Sequence, residues 1–257
     1  MILAILQARY SSSRLPGKIL KDICGKPMVF HEVDRLRRSG LIDKLVLATS
    51  IEASDDPVET ACKAEGVTCF RGNLDDVLDR YYQCAKEYEP THVVRVTGDC
   101  PLIDPAVVDS VIEKHINEGN DYTGNTNPPS FPDGLDVEIM TFAALKDAWQ
   151  EARLMSEREH VTLYIRNHAD KYKFGNVACP EDLSAHRWTV DEPEDFELVK
   201  AVYEGIYQDK PFFDMYDVLE YIRKNPEILN LNDKFERNEG LKKSLREDRE
   251  VYREEAK

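Results

Sequence analysis

The sequence predicts an α/β fold, with helices on both faces of a mostly parallel central sheet and some antiparallel additions. Three observations carry this. The apolar run ILAIL at 2–6 has no polar interruption, as a strand covered on both faces requires. Further strand-like runs follow through the first hundred residues, each separated from the next by a helical stretch, the spacing of right-handed crossovers. A polar loop, QARYSSSRLPGK, opens directly after the first run, at the strand end where open parallel sheets collect ligands.

Each element has a local reason. Pro27 is suited to opening a helix to about Ser39, with Phe30, Val33 and Leu36 on its buried side. KLVLATS at 44–50 reads as the second strand, and Asp56-Pro57 starts the next helix. VTCF at 67–70 reads as the third strand, followed by a helix that Asn73 is placed to cap. THVVRVTGD at 91–99 is the fourth, and Asp104-Pro105 begins the helix after it. Beyond Gly119 the pattern changes. GNTNPPSFPDG at 124–134 reads as a loop, and LDVEIMTF at 135–142 as a half-exposed strand. Helical signal runs from Phe142 to about His168, and KFGNVACP and HRWTV read as antiparallel additions. A further helical region spans 194–226, and the charged end at 238–257 reads as a solvated helix or fraying tail. The expected division is a catalytic body at 1–228 and a charged helical tail at 229–257.

Composition narrows the function. Apolar residues make up 42% of the chain, enough for a packed core. A net charge of -15 argues against a general nucleic-acid or anionic-membrane surface. Basic residues that serve an anionic ligand must therefore be gathered locally, and Arg9, Arg14 and Lys18 are gathered in one loop. The six cysteines form no CxxC pair, and the apolar start lacks a basic flank. A cytoplasmic protein with reduced thiols and no membrane insertion is expected.

The loop reads as a polyphosphate cradle or as an ordinary solvated turn. Its small residues admit close backbone approach, Arg14 can grip two phosphate oxygens, and Lys18 acts as a point charge. Neither GxxxxGK[ST] nor GxGxxG is present. Asp99 and Asp191 follow strand-like runs and suffice for Mg²⁺, which accepts one or two carboxylates with phosphate and water. The alternative makes Asp191 a helix cap and Asp99 a turn residue. Asp136 and Glu138 share one strand face and suit sugar hydroxyls, or form a plain polar face. Arg158, Glu159 and His160 cluster at an expected helix start, where His160 is a candidate base or a structural histidine.

The motifs ILQARYSSSRLPGKIL, FRGNLDDVLDRYYQCA, RVTGDCPLIDP, PDGLDVEI, SEREHVTLYIR and RWTVDEPEDFELV occur in order between about Met1 and Tyr207. Together they resemble the spore coat polysaccharide biosynthesis protein F family, within the cytidylyltransferases that activate acidic sugars such as 3-deoxy-manno-octulosonate (KDO) and acylneuraminate. The resemblance implies a GT-A-like nucleotidyltransferase fold and a cytidylyltransferase-like catalytic domain. It implies transfer of CMP from CTP to an acidic or unusual sugar, releasing pyrophosphate for a surface or spore-coat glycan, and it implies a homodimer. Asp99 and Asp191 would hold Mg²⁺. Arg14 and Lys18 would hold the phosphates, and Arg9 with the backbone of Leu6, Gln7 and Ala8 the nucleoside. Arg71 and Asp76 would lie near the base. Arg95, Asp136, Glu138, Arg158 and His160 would belong to the acceptor. The alternatives are a glycosyltransferase using a nucleotide-sugar, a transferase for UTP or another nucleotide, and an inactive sugar-nucleotide-binding protein.

Overall fold

The computed structural model describes residues 1–12, 14–235, 237 and 239–255. The chain begins with β1 (Ile2–Gln7), a short hairpin of β2 (Asp22–Ile23) and β3 (Lys26–Pro27), and α1 (Met28–Leu36). β4 (Lys44–Ser50), α2 (Asp56–Ala64), β5 (Cys69–Gly72), α3 (Val77–Tyr88), β6 (His92–Thr97) and α4 (Pro105–Glu118) complete the alternating half. β7 (Tyr122–Gly124), β8 (Glu138–Thr141), α5 (Phe142–Glu151), α6 (Met155–Glu159), α7 (Leu163–Asn167) and β9 (Phe174–Asn176) follow. The chain ends with α8 (Pro193–Ile206), α9 (Met215–Lys224) and α10 (Glu239–Glu255).

The main sheet runs β5-β4-β1-β6-β8-β7-β9. β1, β4, β5 and β6 are mutually parallel, and β8 alone runs against its neighbours. Leu3, Ala4, Ile5 and Leu6 are wholly buried, because successive residues of β1 feed two cores. Ala4 and Leu6 pack with residues of α1, α4, α8 and α9, whereas Leu3 and Ile5 pack with α3, α5 and α7.

Several expectations shift. β9 pairs in parallel with β7, not antiparallel. HRWTV forms no strand: Arg187 makes a single bridge to Asp133, and Trp188 is fully buried beside it. Asn73 does not cap α3; its side-chain Oδ1 accepts from the backbone N–H groups of Asp75 and Asp76, and the Asp76 carboxylate caps the helix through Asp79 N–H. The helical stretch after Phe142 divides into three, with an extended Ala152 and a left-handed Val161 at the breaks. β8 is buried rather than half-exposed, because β6 and β7 flank it and both sheet faces are covered.

The charged end folds back onto the body. Asn232 donates to Asp195 and to the Arg187 carbonyl, and Arg237 bonds Asp136. α10 docks on α6 through Ser244, which contacts Glu159 and His160, and Asp248, which accepts from Ser156 N–H.

Candidate active site

Gly17 turns the loop after β1 with φ 71°, and a Cβ there would meet the Tyr10 ring at 2.9 Å. That turn delivers Lys18 into the molecule, only 7% exposed. Its ammonium donates to the Val190 carbonyl at 2.6 Å and to Asp191 Oδ1 at 3.0 Å, and stands 3.5 Å from Asp99 Oδ2. Burial pulls the ammonium pKa down, but the two carboxylates outweigh it and hold the pKa above the ordinary value. Val190 N–H bonds the Asp99 carbonyl at 2.7 Å, and this link brings the two distant aspartates together.

Asp191 does not serve as the helix cap that the sequence left open, whereas Asp99 does stand in the turn that follows β6. Asp195 accepts from both Asp191 N–H and Glu192 N–H, so Asp191 is free of capping at the start of α8. Instead its carboxylate meets Lys18, Arg14 Nη2 at 2.9 Å and Arg187 Nη2 at 3.6 Å. Burial would raise its pKa; these cations hold it below the usual carboxylate range. The Asp99 carboxylate faces Lys18 and the Cys100 thiol. Buried Glu32 braces this turn by accepting from Cys100 N–H at 3.3 Å, and burial together with Asp99 pushes its own carboxyl well up.

These residues fit a hard divalent cation. Oxygens of Asp99 and Asp191 converge on one ammonium, and their side chains remain 26% and 23% exposed. Among the described residues no three His, Cys, Asp or Glu side chains form a metal cage. A two-carboxylate set suits Mg²⁺, which keeps water and phosphate ligands.

A cavity of about 190 Å³ lies above Lys18, lined by Gln7, Ala8, Arg9, Ser12, Arg14 and Gly98 among others. At Gly98 a Cβ would meet that of Ala8 at 2.8 Å, so glycine keeps the ends of β1 and β6 close. Arg9 is exposed and has no ion pair among the described residues. Leu6 stays inside the sheet between Leu47 and Val96 and does not line this cavity. Ser13 lies outside the described residues.

The expected base-side residues are engaged elsewhere. Arg71 donates to the Ser50 and Glu52 carbonyls and pairs with Asp56 and Glu59, pinning the loop after β4. Asp76 accepts from Arg158 Nε at 3.0 Å and Nη2 at 2.5 Å, so a residue expected at the base pairs with one expected at the acceptor. Among the described residues Arg80 pairs with no carboxylate. It is fully buried, donates to the Asn73 carbonyl at 2.8 Å, and leaves Nε and Nη2 without partners among those residues. Buried Gln7 Oε1 is likewise unpartnered among them, at the end of β1.

A second cavity of about 360 Å³ meets the first at Arg14, Thr97, Asp99 and Asp191. Arg95, Asp136, Glu138 and His160 line it, whereas Arg158 does not. Glu138 lies opposite Arg95 and bonds it at 2.5 Å, and it accepts from Tyr122 and Thr162. Burial would raise the Glu138 pKa, but Arg95, Arg166 and these hydrogen bonds hold it down. Burial pushes Asp136 up to about 7 despite its Arg237 partner. Burial lowers His160, whose Nε2 lies 3.0 Å from Ser244 Oγ. Two lining arginines escaped the sequence reading. Arg187 sits among Asp133, Asp191 and Asp195, and Arg166 enters from α7 with no ion pair among the described residues. The motif SEREHVTLYIR contained Arg166, yet nothing local separates it from a surface arginine.

Residues 3–227 match the family model described as cytidylyltransferase. The chain belongs to that family. This cytidylyltransferase is 36% identical over 238 residues to the spore coat polysaccharide biosynthesis protein SpsF of Bacillus subtilis, covering 88% of this chain and 95% of the relative. It is 26% identical over 255 residues to the 3-deoxy-manno-octulosonate cytidylyltransferase of Geotalea uraniireducens, covering 87% and 99%. A solved cytidylyltransferase from Leptospira borgpetersenii superposes with a TM-score of 0.86 at 33% identity, covering 91% and 98%. The fold is that of the nucleotidyltransferases, and the activity is CTP-dependent nucleotidyl transfer. Among the described residues no helix is long and apolar enough to cross a membrane.

Proposed function

We propose that this cytidylyltransferase joins CMP from CTP to an acidic sugar for surface or spore-coat glycan synthesis. The observation that carries the reading is the arrangement around Lys18: one ammonium holds the two aspartates where the cradle and the second cavity meet. Arg14 and Lys18 bind the β- and γ-phosphates, and Arg9, Gln7 and Ala8 position the nucleoside. Asp99 and Asp191 hold Mg²⁺, which when bound neutralises phosphate charge and supplies Lewis acidity. The second cavity orients the acceptor, with Arg95, Asp136 and Glu138 on its hydroxyls and Arg166, which has no ion pair among the described residues, on its carboxylate. The acceptor oxygen bonds the α-phosphorus as its proton passes to water. The bond to the bridging oxygen breaks and pyrophosphate leaves with that electron pair. CTP is an intracellular metabolite, so we place the enzyme in the cytoplasm, and by its family resemblance as a homodimer.

The test is a thermal-shift panel of CTP, UTP, ATP and GTP with and without Mg²⁺, followed by pyrophosphate release with CTP and a set of acidic sugars. Selective stabilisation by CTP with Mg²⁺, and release with one acid, is the expected result. Release with neutral sugars alone overturns the acceptor class. A response only to a nucleotide-sugar overturns cytidylyl transfer.

A further inference from the structure

The chain beyond residue 227, where the cytidylyltransferase match ends, reaches back to the second cavity at several points. Glu239, Gly240 and Leu241 line it directly, and Ser244 contacts Glu159 and His160, which line it too. Arg237 does not line the cavity but bonds two residues that do. Its Nη2 donates to Asp136 Oδ1, its Nε stands 3.6 Å from Asp133 Oδ1, and its Nη1 donates to the Phe131 carbonyl at 3.1 Å. One guanidinium thus ties Phe131, Asp133 and Asp136 together just before β8. A planar fork with fixed donor directions can hold several acceptors at once, whereas an ammonium is a point charge on a flexible stem. The same segment is bonded to the chain that leads to Asp191. Asp133 N–H donates to the His186 carbonyl at 2.9 Å, and Trp188 N–H to the Asp133 carbonyl at 2.6 Å.

The charge of Arg237 matters as well as its reach. Asp136 lies among Asp133, Glu138 and Asp99, like charges that repel it, and Arg237 is the cation paired with it among the described residues. The Arg237 side chain is 15% exposed and that of Asp136 31%, so the pair is largely withdrawn from water while part of the carboxylate still faces the cavity. Removing one partner of such a pair leaves the other charge uncompensated. We propose that Arg237 is a positioning residue for the acceptor: it fixes the Asp136 carboxylate at the second cavity, and so brings the chain beyond the family match into sugar recognition, on the reading above that gives Asp136 to the sugar hydroxyls. Holding Oδ1 leaves the remaining acceptor capacity of the carboxylate for a hydroxyl.

The experiment uses the full chain, CTP with Mg²⁺, and two acidic probes, 3-deoxy-manno-octulosonate and an acylneuraminate, with pyrophosphate release as the rate. Arg237→Gln keeps a long polar side chain and removes the charge. Its expected effect is a KM for the acid raised about tenfold, with the KM for CTP changed by less than about twofold. Arg237→Lys restores only part, because an ammonium does not reproduce the fork. In an Asp136→Asn background, adding Arg237→Gln should raise the KM for the acid by less than about twofold, since the carboxylate through which Arg237 acts is already gone. Losses that multiply in the double variant overturn the proposal, because Arg237 then acts independently of Asp136. Equal rises in both KM values, or a lower Tm with both KM values unchanged, overturn it too, because they make Arg237 a structural support alone. Should Arg237→Gln not fold, Arg237→Lys carries the same comparison: a rise confined to the KM for the acid supports the proposal, and an unchanged KM overturns it. If the wild-type chain releases pyrophosphate with neither acid, the acceptor reading itself fails, an outcome separate from a loss confined to the variant.

Discussion

The Lys18 ammonium stands 3.0 Å from the Asp191 carboxylate across 173 positions of sequence. A lysine of the loop after β1 thus stands between the two carboxylates that the proposed reading gives to a divalent cation. Lys18→Ala leaves Asp99 and Asp191 facing each other without that charge. We expect a loss of about 1–3 kcal/mol, less than for a fully buried pair because both aspartates keep some exposure. Mg²⁺ should return part of it. Calorimetric melting with and without MgCl₂ checks this, and a Tm indifferent to Mg²⁺ in the variant removes the cation site.

Asp99→Asn and Asp191→Asn preserve side-chain shape while removing a ligand charge. Turnover should fall by about a hundredfold or more, with the circular dichroism spectrum retained. Near-normal Mg²⁺-dependent turnover in either variant would show that the carboxylate is dispensable.

Arg166 lines the second cavity without an ion pair among the described residues, and its charge also helps to hold the buried Glu138 ionised. Arg166→Ala should raise the KM for the acidic sugar about tenfold to a hundredfold and leave that for CTP unchanged, as expected for a lost charge-assisted contact. Arg166→Lys should recover only part. A matched rise in both constants would contradict a carboxylate-binding role.

Asp136 titrates near 7 in the folded chain, above its unfolded value of about 3.9. Between these pH values the unfolded chain has lost a proton that the folded chain keeps, so this group lowers stability as pH rises from about 4 to about 7. Above that range its effect is constant. Asp136→Asn should therefore flatten the Tm profile between those limits, and profiles that run parallel would refute the shift.

Glu239 holds Arg14 at 3.3 Å, which under the proposed reading sets it against phosphate for that guanidinium. Glu239→Gln should lower the KM for CTP about twofold to fivefold, the scale of an exposed ion pair. Initial rates at varied CTP decide it: a higher KM would make Glu239 a support for Arg14 instead of a competitor.

The parallel half of the fold was legible because its signals are local. Apolar runs mark β1 and β4, Val93, Val94 and Val96 mark β6 around Arg95, and Pro57 and Pro105 lie at helix starts. The second half was harder. HRWTV resembles a strand, yet Trp188 is buried by packing without a ladder, and Glu138 reads as polar surface although Arg95, Tyr122 and Thr162 satisfy it inside.

From its order of residues alone, this chain declares a parallel α/β sheet, a basic loop after the first strand and two aspartates after strand-like runs. Tertiary packing decided which charges meet. It committed Arg71 to Asp56 and Glu59, Arg158 to Asp76, and Lys18 to Asp99 and Asp191, and it laid α10 beside the site. Hydrophobic periodicity is written locally and is therefore readable. A charged side chain looks the same in sequence whether it faces water or a partner more than a hundred residues away, so its role is settled only when the chain closes on itself.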